Sequence, residues 1–160
     1  MRLVLLALLC LLPLAPARAA ETKHFDSASL ETIRSARPGR PFALVLWSLD
    51  CSHCREEMKL LARAKRRHPR LDLVFVSTDG PDAAAEVART LATAGLGSAE
   101  SWVFGAEAPE KLRWSIDRKW RGELPRTYLY DAAHQATGIS GRLPRERLSA
   151  WLEEAKRFRR

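Results

Sequence analysis

Cysteine is scarce in this 160-residue chain. It occurs three times, at Cys10, Cys51 and Cys54, too few for the multi-bridge framework that holds a small exported domain together. Metal ligands are equally thin: two cysteines with His53 between them are poor geometry for one ion, and a structural or catalytic metal wants more ligands at suitable spacing. Long apolar runs are missing too. The longest, Leu3 to Leu12, falls well short of the roughly 20 residues of a membrane-spanning helix. There is no internal repeat and no low-complexity linker. Basic residues exceed acidic ones, 27 to 19, for a formal charge of +8, but they are scattered along the chain. The densest run, Arg63, Lys65, Arg66 and Arg67, falls on the polar side of a helix end, where cations suit the helix dipole. No aromatic-interleaved basic motif supports nucleic-acid binding, and the charge reads as a solvated surface in preference to a match for acidic partners or an anionic membrane face.

What is present begins at the N-terminus. Met1-Arg2, the apolar run, Pro13, Pro16 and Ala17-Arg18-Ala19 form the charged segment, apolar segment and small-residue site of a cleavable secretory signal. Cleavage is expected after Ala19, with Ala20 the next-best site, and Leu9 before Cys10 argues against a lipoprotein signal. The mature chain is therefore expected to be exported, to a periplasm or beyond. Cleavage removes Cys10, leaving Cys51 and Cys54 as a lone C-x-x-C pair, and lowers the charge to +6 because Arg2 and Arg18 leave with no acid. About 140 residues remain, enough for one domain with a real core. The expected division is a signal over 1–19, a lead-in segment over 20–40 and one domain over 41–160.

Hydrophobic periodicity outlines that domain. Phe25 to Arg37 reads as a lead-in helix, broken by Arg37-Pro38-Gly39-Arg40-Pro41. Phe42 to Trp47 is apolar throughout, as in a strand covered on both faces. A helix follows Cys51, carrying Cys54, Met58, Leu61 and Ala62 on one face, and stops by His68 because Pro69 follows. Leu71 to Val76 is a second buried strand. Thr78-Asp79-Gly80-Pro81 turns into a helix with Ala84, Val87, Ala88 and Leu91 on one face, ended by Gly95. Trp102 to Phe104 is a short strand and Pro109 to Ile116 a short helix. Thr127 to Asp131 and Ala136 to Ser140 form a hairpin around Ala133-His134, and a last helix aligns Leu148, Trp151, Leu152, Ala155 and Phe158. The order predicts an α/β fold with a mixed central sheet and helices on both faces.

The chemistry concentrates in Trp47-Ser48-Leu49-Asp50-Cys51-Ser52-His53-Cys54. Cys51 falls where strand turns into helix, facing unpaired backbone N–H groups and the positive end of the helix dipole. Both favour thiolate, the reactive form. Cys54 lies one turn further in, within reach of a disulfide. Cys51 is thus the expected nucleophile toward a partner disulfide, and Cys54 the thiol that resolves the mixed disulfide. His53, if protonated, would stabilise the thiolate; as an exposed neighbour it would be a spectator. Asp50, a negative charge beside the thiolate, acts the other way. A static structural disulfide and a metal half-site stay open as alternatives.

Trp47 four residues before the first cysteine, Cys51-Ser52-His53-Cys54-Arg55-Glu56-Glu57-Met58, and Gly122-Glu123-Leu124-Pro125-Arg126-Thr127-Tyr128-Leu129-Tyr130-Asp131, followed by Gly141 and the closing helix, together resemble the exported TlpA/ResA-like branch of the thioredoxin-fold superfamily. The resemblance covers 41–160. It implies a thioredoxin fold and a protein-directed thiol–disulfide oxidoreductase whose cofactor is its own Cys51–Cys54 disulfide. Pro125 is implied to be a cis-proline facing the dithiol, with Leu124 touching substrate. Glu57 matches the branch's acidic residue, a proton acceptor for Cys54, where cytoplasmic thioredoxins carry an aspartate at the position of Val45. Trp47, Ser52 and His53 would tune the redox potential, and a histidine in the dipeptide resembles the strongly oxidising DsbA type. The chain departs from the branch at Asp50, where tryptophan is common, at Ser52-His53, where the second residue is often proline, and at Lys59, where proline is common.

The implied partners are protein disulfides or dithiols and an upstream redox donor protein at the membrane, with the chain itself a monomer. Reduction of protein disulfides, as in cytochrome c maturation or metalloprotein assembly, is the favoured direction. Oxidation or isomerisation is the alternative, motivated by Ser52-His53. Copper-handling relatives of the same fold space their cysteines C-x-x-x-C, which argues against that rival, and no peroxidase pattern is present.

Overall fold

In a computed structural model that describes residues 21–157, six strands form one sheet flanked by five helices. The strands are β1 (Thr22–Phe25), β2 (Phe42–Trp47), β3 (Leu73–Ser77), β4 (Glu100–Phe104), β5 (Arg126–Tyr130) and β6 (Ala136–Ser140); the helices are α1 (Ser29–Ser35), α2 (Ser52–Arg67), α3 (Ala84–Thr93), α4 (Pro109–Ile116) and α5 (Arg145–Arg157). The spatial order is β1-β4-β3-β2-β5-β6. The first four strands run parallel, and β5 and β6 add an antiparallel hairpin beside β2. The sheet is therefore mixed, with β2 at its centre.

Because side chains alternate along a strand, β2 feeds two cores. Ala43, Val45 and Trp47 join one, closed by Met58 and Leu61 of α2, Val87 and Leu91 of α3, and Leu148 and Trp151 of α5. Phe42, Leu44 and Leu46 join the other, closed by Ile33 of α1 and Leu112 and Ile116 of α4. All six residues of β2 are buried, which explains its uninterrupted apolar sequence. Helix α2 ends where expected, with His68 as its C-cap ahead of Pro69.

The lead-in segment differs from the helix expected over Phe25 to Arg37. Its first part is strand β1, paired in parallel with β4, and the helix occupies only Ser29–Ser35. Thr22, Lys23 and His24 carry no apolar pattern; the strand forms because β4 offers it a ladder and because Phe25 packs on Trp102 and Phe104. The signal segment and Phe158 lie outside the described residues. No helix among the described residues is long and apolar enough to cross a membrane.

Candidate active site

Parallel strands deliver their C-terminal ends to one edge of the sheet, and the site is assembled there. At the end of β2 the chain turns through Ser48-Leu49-Asp50, and Cys51 becomes the N-cap of α2. The Cys51 sulfur accepts a hydrogen bond from the Cys54 amide at 3.1 Å. It thus occupies the position where a side chain satisfies an orphan N–H of the first turn. Cys51 and Cys54 are joined by a disulfide with Cα atoms 5.3 Å apart. Their surroundings differ: Cys51 is partly exposed, Cys54 is 1% exposed. Ser52, His53 and Asp50 are all exposed. Trp47 is buried in the same core as Cys54, and Cys51 packs against that core.

Among the described residues Glu57 is the one buried carboxylate, at 2% exposure. It lies three residues after Cys54 on the same face of α2. Thr127 donates a hydroxyl hydrogen bond to it, and the Leu143 amide donates a second at 2.8 Å. Burial pushes its pKa up, and these two hydrogen bonds only partly offset that. Thr127 pairs with Val45 across β2 and β5. The acid therefore reaches from the helix to the neighbour of the very position that is Val45 here. Adjacent Glu56 is exposed and bridges to Lys59.

Pro125 directly precedes β5. Leu46 pairs with Arg126 in the antiparallel register, so the next step of that register sets Pro125 beside Trp47. The Leu124–Pro125 peptide is cis, and the Pro125 carbonyl accepts a hydrogen bond from the Gly141 amide at 2.9 Å. Leu124 is partly buried and packs against both cores, the one that Cys51 packs against included. Strand register and packing thus bring Cys51, Cys54, Glu57, Trp47, Leu124 and Pro125 to one end of the sheet, with His53 and Ser52 at its surface.

Four hydrogen bonds that hold this site were not visible as such in the sequence. Asp79 Oδ2 accepts the Leu49 amide at 2.9 Å and also the Ser77 hydroxyl. Arg55 donates to the Leu49 carbonyl at 3.0 Å. The Thr78 amide donates to the Trp47 carbonyl at 2.9 Å. The signal for Asp79 was available in principle, since parallel neighbouring strands place the loop after β3 beside the loop after β2. Among the described residues, no group of three or more His, Cys, Asp or Glu side chains could hold a metal ion.

No family model matches the sequence, and no curated protein matches it. Solved structures do. A secreted Mycobacterium tuberculosis disulfide oxidoreductase homologous to DsbE of E. coli aligns at TM-score 0.55 and 17% identity, covering 74% of this chain and 84% of its own. A thioredoxin-related protein from Neisseria meningitidis serogroup B gives TM-score 0.59 and 18% identity over 76% and 87%. A thio-disulfide isomerase from Thermus thermophilus gives 0.54 and 22% over 72% and 78%. At such identities the likeness is one of fold. The chain has the thioredoxin fold and carries a Cys51–Cys54 disulfide where β2 gives way to α2.

Proposed function

We propose that this protein is an exported thiol–disulfide oxidoreductase of the TlpA/ResA-like branch, acting as a monomer to reduce disulfides in other proteins. One observation carries the reading: a partly exposed sulfur at a helix N-terminus is paired with a buried sulfur that has, one turn behind it, a buried carboxyl group with no cation bonded to it. In the reduced enzyme the Cys51 thiolate attacks one sulfur of a substrate disulfide. The substrate S–S bond breaks, one substrate thiolate leaves, and a Cys51–substrate disulfide forms. Glu57 accepts the proton of Cys54. The Cys54 thiolate then attacks the Cys51 sulfur, expels the second substrate thiolate and closes the intramolecular disulfide. The substrate gains two electrons and two protons. A membrane-side protein dithiol supplies the same to reopen the Cys51–Cys54 bond. Glu57 lines a surface pocket of about 440 Å³ together with Leu60, Arg63, Arg142 and Leu143, which offers its proton a way to water apart from the dithiol. Leu124 and Pro125 receive the substrate backbone, while Trp47, Ser52 and His53 set the potential.

The decisive experiment is a trap. Cys54→Ser keeps the attacking thiol and removes the resolving one, so an adduct sensitive to reductant should accumulate in the exported fraction. Its partner names the pathway: an apocytochrome or a metalloprotein assembly factor supports the reductase reading. Absence of any adduct would remove the protein-directed redox role and favour copper handling, to be checked by copper titration against thiol labelling. Exposed His53 between the cysteines favours a second reading, that of an oxidase or isomerase. The equilibrium potential separates the two, since thioredoxin sits near about −270 mV and DsbA near about −120 mV.

A further inference from the structure

Helix α4 and the loop from Asp117 to Leu124 lead straight into the Leu124–Pro125 segment, at the end of the sheet that carries the dithiol. Both are tied to the functional end of the sheet. Asp117 accepts hydrogen bonds from Tyr128 Oη at 2.9 Å and Arg126 Nη2 at 3.1 Å, Trp120 is buried and donates through Nε1 to the Glu123 carbonyl at 2.9 Å, and Gly122 faces the Arg113 side chain. This platform is fixed, and its outer surface has an unusual composition. Trp114 is 61% exposed, the one large hydrophobic side chain left open among the described residues. The Arg118 guanidinium lies over its ring, 5.4 Å from the centroid. Arg118, Lys119 and Arg121 are all exposed.

The loop's own acids do not neutralise these cations. Asp117 is turned to Arg126, Tyr128 and the Lys119 amide. Glu123 is turned to Arg126, Ser140 and the Arg121 amide. Both carboxylates are spent on Arg126 and the loop backbone, so three positive charges and a tryptophan face outward without a carboxylate partner among the described residues. An exposed aromatic with adjoining arginine is the composition of an interface anchor, and uncompensated charge selects a partner of opposite sign.

We propose that Trp114, Arg118, Lys119 and Arg121 form a docking surface for an acidic, aromatic-containing segment of the polypeptide whose disulfide exchanges with Cys51. The proposal rests on the thiol–disulfide exchange reading and specifies its substrate class. Trp114 supplies the apolar contact, Arg118 is held ready on its ring, and Lys119 and Arg121 add steering that salt will screen. The surface selects which proteins present a disulfide to the site. It takes no part in the exchange itself.

Binding and exchange test this separately. The mature full-length protein in its disulfide form is titrated with a cysteine-free peptide rich in glutamate and phenylalanine, and with its lysine counterpart. The glutamate peptide should bind at least about tenfold more tightly at low salt, and the preference should vanish at high salt. Combined Arg118→Glu, Lys119→Glu and Arg121→Glu should reverse the preference, and Trp114→Ala should weaken the glutamate peptide about tenfold. With the same peptides carrying a disulfide, the triple variant should raise KM for the acidic one about tenfold while exchange with hydroxyethyl disulfide stays unchanged. Equal binding of the two peptides, or an equal loss on hydroxyethyl disulfide, overturns the docking surface. If the wild-type protein exchanges with no disulfide at all, the function is wrong, yet the binding titration still decides whether the surface recognises acidic segments.

Discussion

The two ends of the sheet both contain partly or fully buried carboxylates, and they treat them in opposite ways. At the N-terminal ends of the parallel strands, Arg37 lies between Asp72 and Glu100, at 3.0 and 2.6 Å, and Lys23 reaches Glu100 from β1 at 2.8 Å. Arg37 also donates to the Ile33 carbonyl and packs over the Phe42 ring. Burial alone would raise the pKa of Glu100, but the hydrogen bonds and charges of Lys23 and Arg37 outweigh it, and the group is held below its ordinary range. At the C-terminal ends, Glu57 has a hydroxyl and an amide for company and no cation in hydrogen-bond contact, so burial wins and its pKa rises. The carboxylate with cations is locked in one charge state and fastens strands together. The one without is held above its ordinary range by burial and is the easier to protonate. A buried acid becomes chemistry or scaffold according to whether a cation is within reach.

Removing the cation at the scaffold end should have the largest effect on stability. Arg37→Met leaves Asp72 without its cation and Glu100 with Lys23 alone, and it also frees the Ile33 carbonyl. Both acids keep some solvent contact, so the expected loss is at the low end for a broken buried ion pair, about 3 kcal/mol. Urea unfolding measures it. The potential of the dithiol should not move, because the triad sits at the far end of the strands. A changed potential would mean that the two ends are coupled.

At the functional end the complementary change is Glu57→Gln. The amide keeps the shape, still accepts from the Leu143 amide and can donate to Thr127, but it cannot take a proton. The step in which Cys54 resolves the mixed disulfide should slow about 10²-fold, with global stability barely altered below pH 4.5, where the carboxyl is protonated in both folded and unfolded states. The lifetime of a Cys51 mixed disulfide reports this directly, and the pH dependence of resolution should flatten. An unchanged lifetime would return Glu57 to a purely structural role.

The pH dependence of stability sharpens the contrast. The folded pKa of Glu57 is raised above the ordinary value of 4.5. Above pH 4.5 the folded state therefore holds a proton that the unfolded state has lost, and stability falls as pH rises toward the folded pKa. For Glu100, lowered in the folded state, the sign is reversed: its contribution is complete above pH 4.5 and is lost as pH falls through the folded value. Stability of Glu57→Gln relative to wild type should thus grow on the alkaline side, with a slope of at most about 1.4 kcal/mol per pH unit. Arg37→Met should lose part of the acid-side slope instead. Parallel curves for wild type and Glu57→Gln would contradict the raised pKa.

Much of the functional end was legible because its signals are local. The apolar run of β2, the C-x-x-C pair at its exit, the Pro-x-Thr-aromatic strand and the stripes of α2 and α5 each declare themselves within a dozen residues. The distinction between Glu56 and Glu57 sits at the margin. Helical period puts Glu57 on the face of Cys54 and Leu61, but burying a carboxylate is costly enough that period alone does not decide, and the partners that allow it, Thr127 and Leu143, are 70 and 86 residues away. The scaffold end was nearly invisible. Arg37 reads as part of a helix-breaking run, its partners lie 35 and 63 residues away, and β1 is polar along most of its length. Trp114 falls inside a short helix with no local signal of its own; only its exposure marks it as a surface feature.

The smallest expected effect separates two uses of a carboxylate within the functional end itself. Asp79 is partly exposed and, like Glu57, has no cation bonded to it; its oxygens hold the Leu49 amide and the Ser77 hydroxyl. Leu49 belongs to the turn that delivers Cys51 to the start of α2, and its carbonyl is held in turn by Arg55 from the same helix. Asp79→Ala removes one end of that clamp, at a cost of about 1 kcal/mol for the lost hydrogen bonds. Because the clamp is local, the loss should appear as faster amide hydrogen exchange at Leu49 and Cys51 before it appears in the global unfolding midpoint. Thiolate stabilisation at Cys51 depends on the sulfur keeping its place over the Cys54 amide, so a looser turn should also raise the Cys51 pKa in the reduced enzyme, measurable from the pH dependence of its alkylation. Glu57→Gln should leave that alkylation curve in place while slowing resolution. If both variants shift the curve equally, the two carboxylates act as one unit and their separate roles here as loop clamp and proton acceptor do not hold.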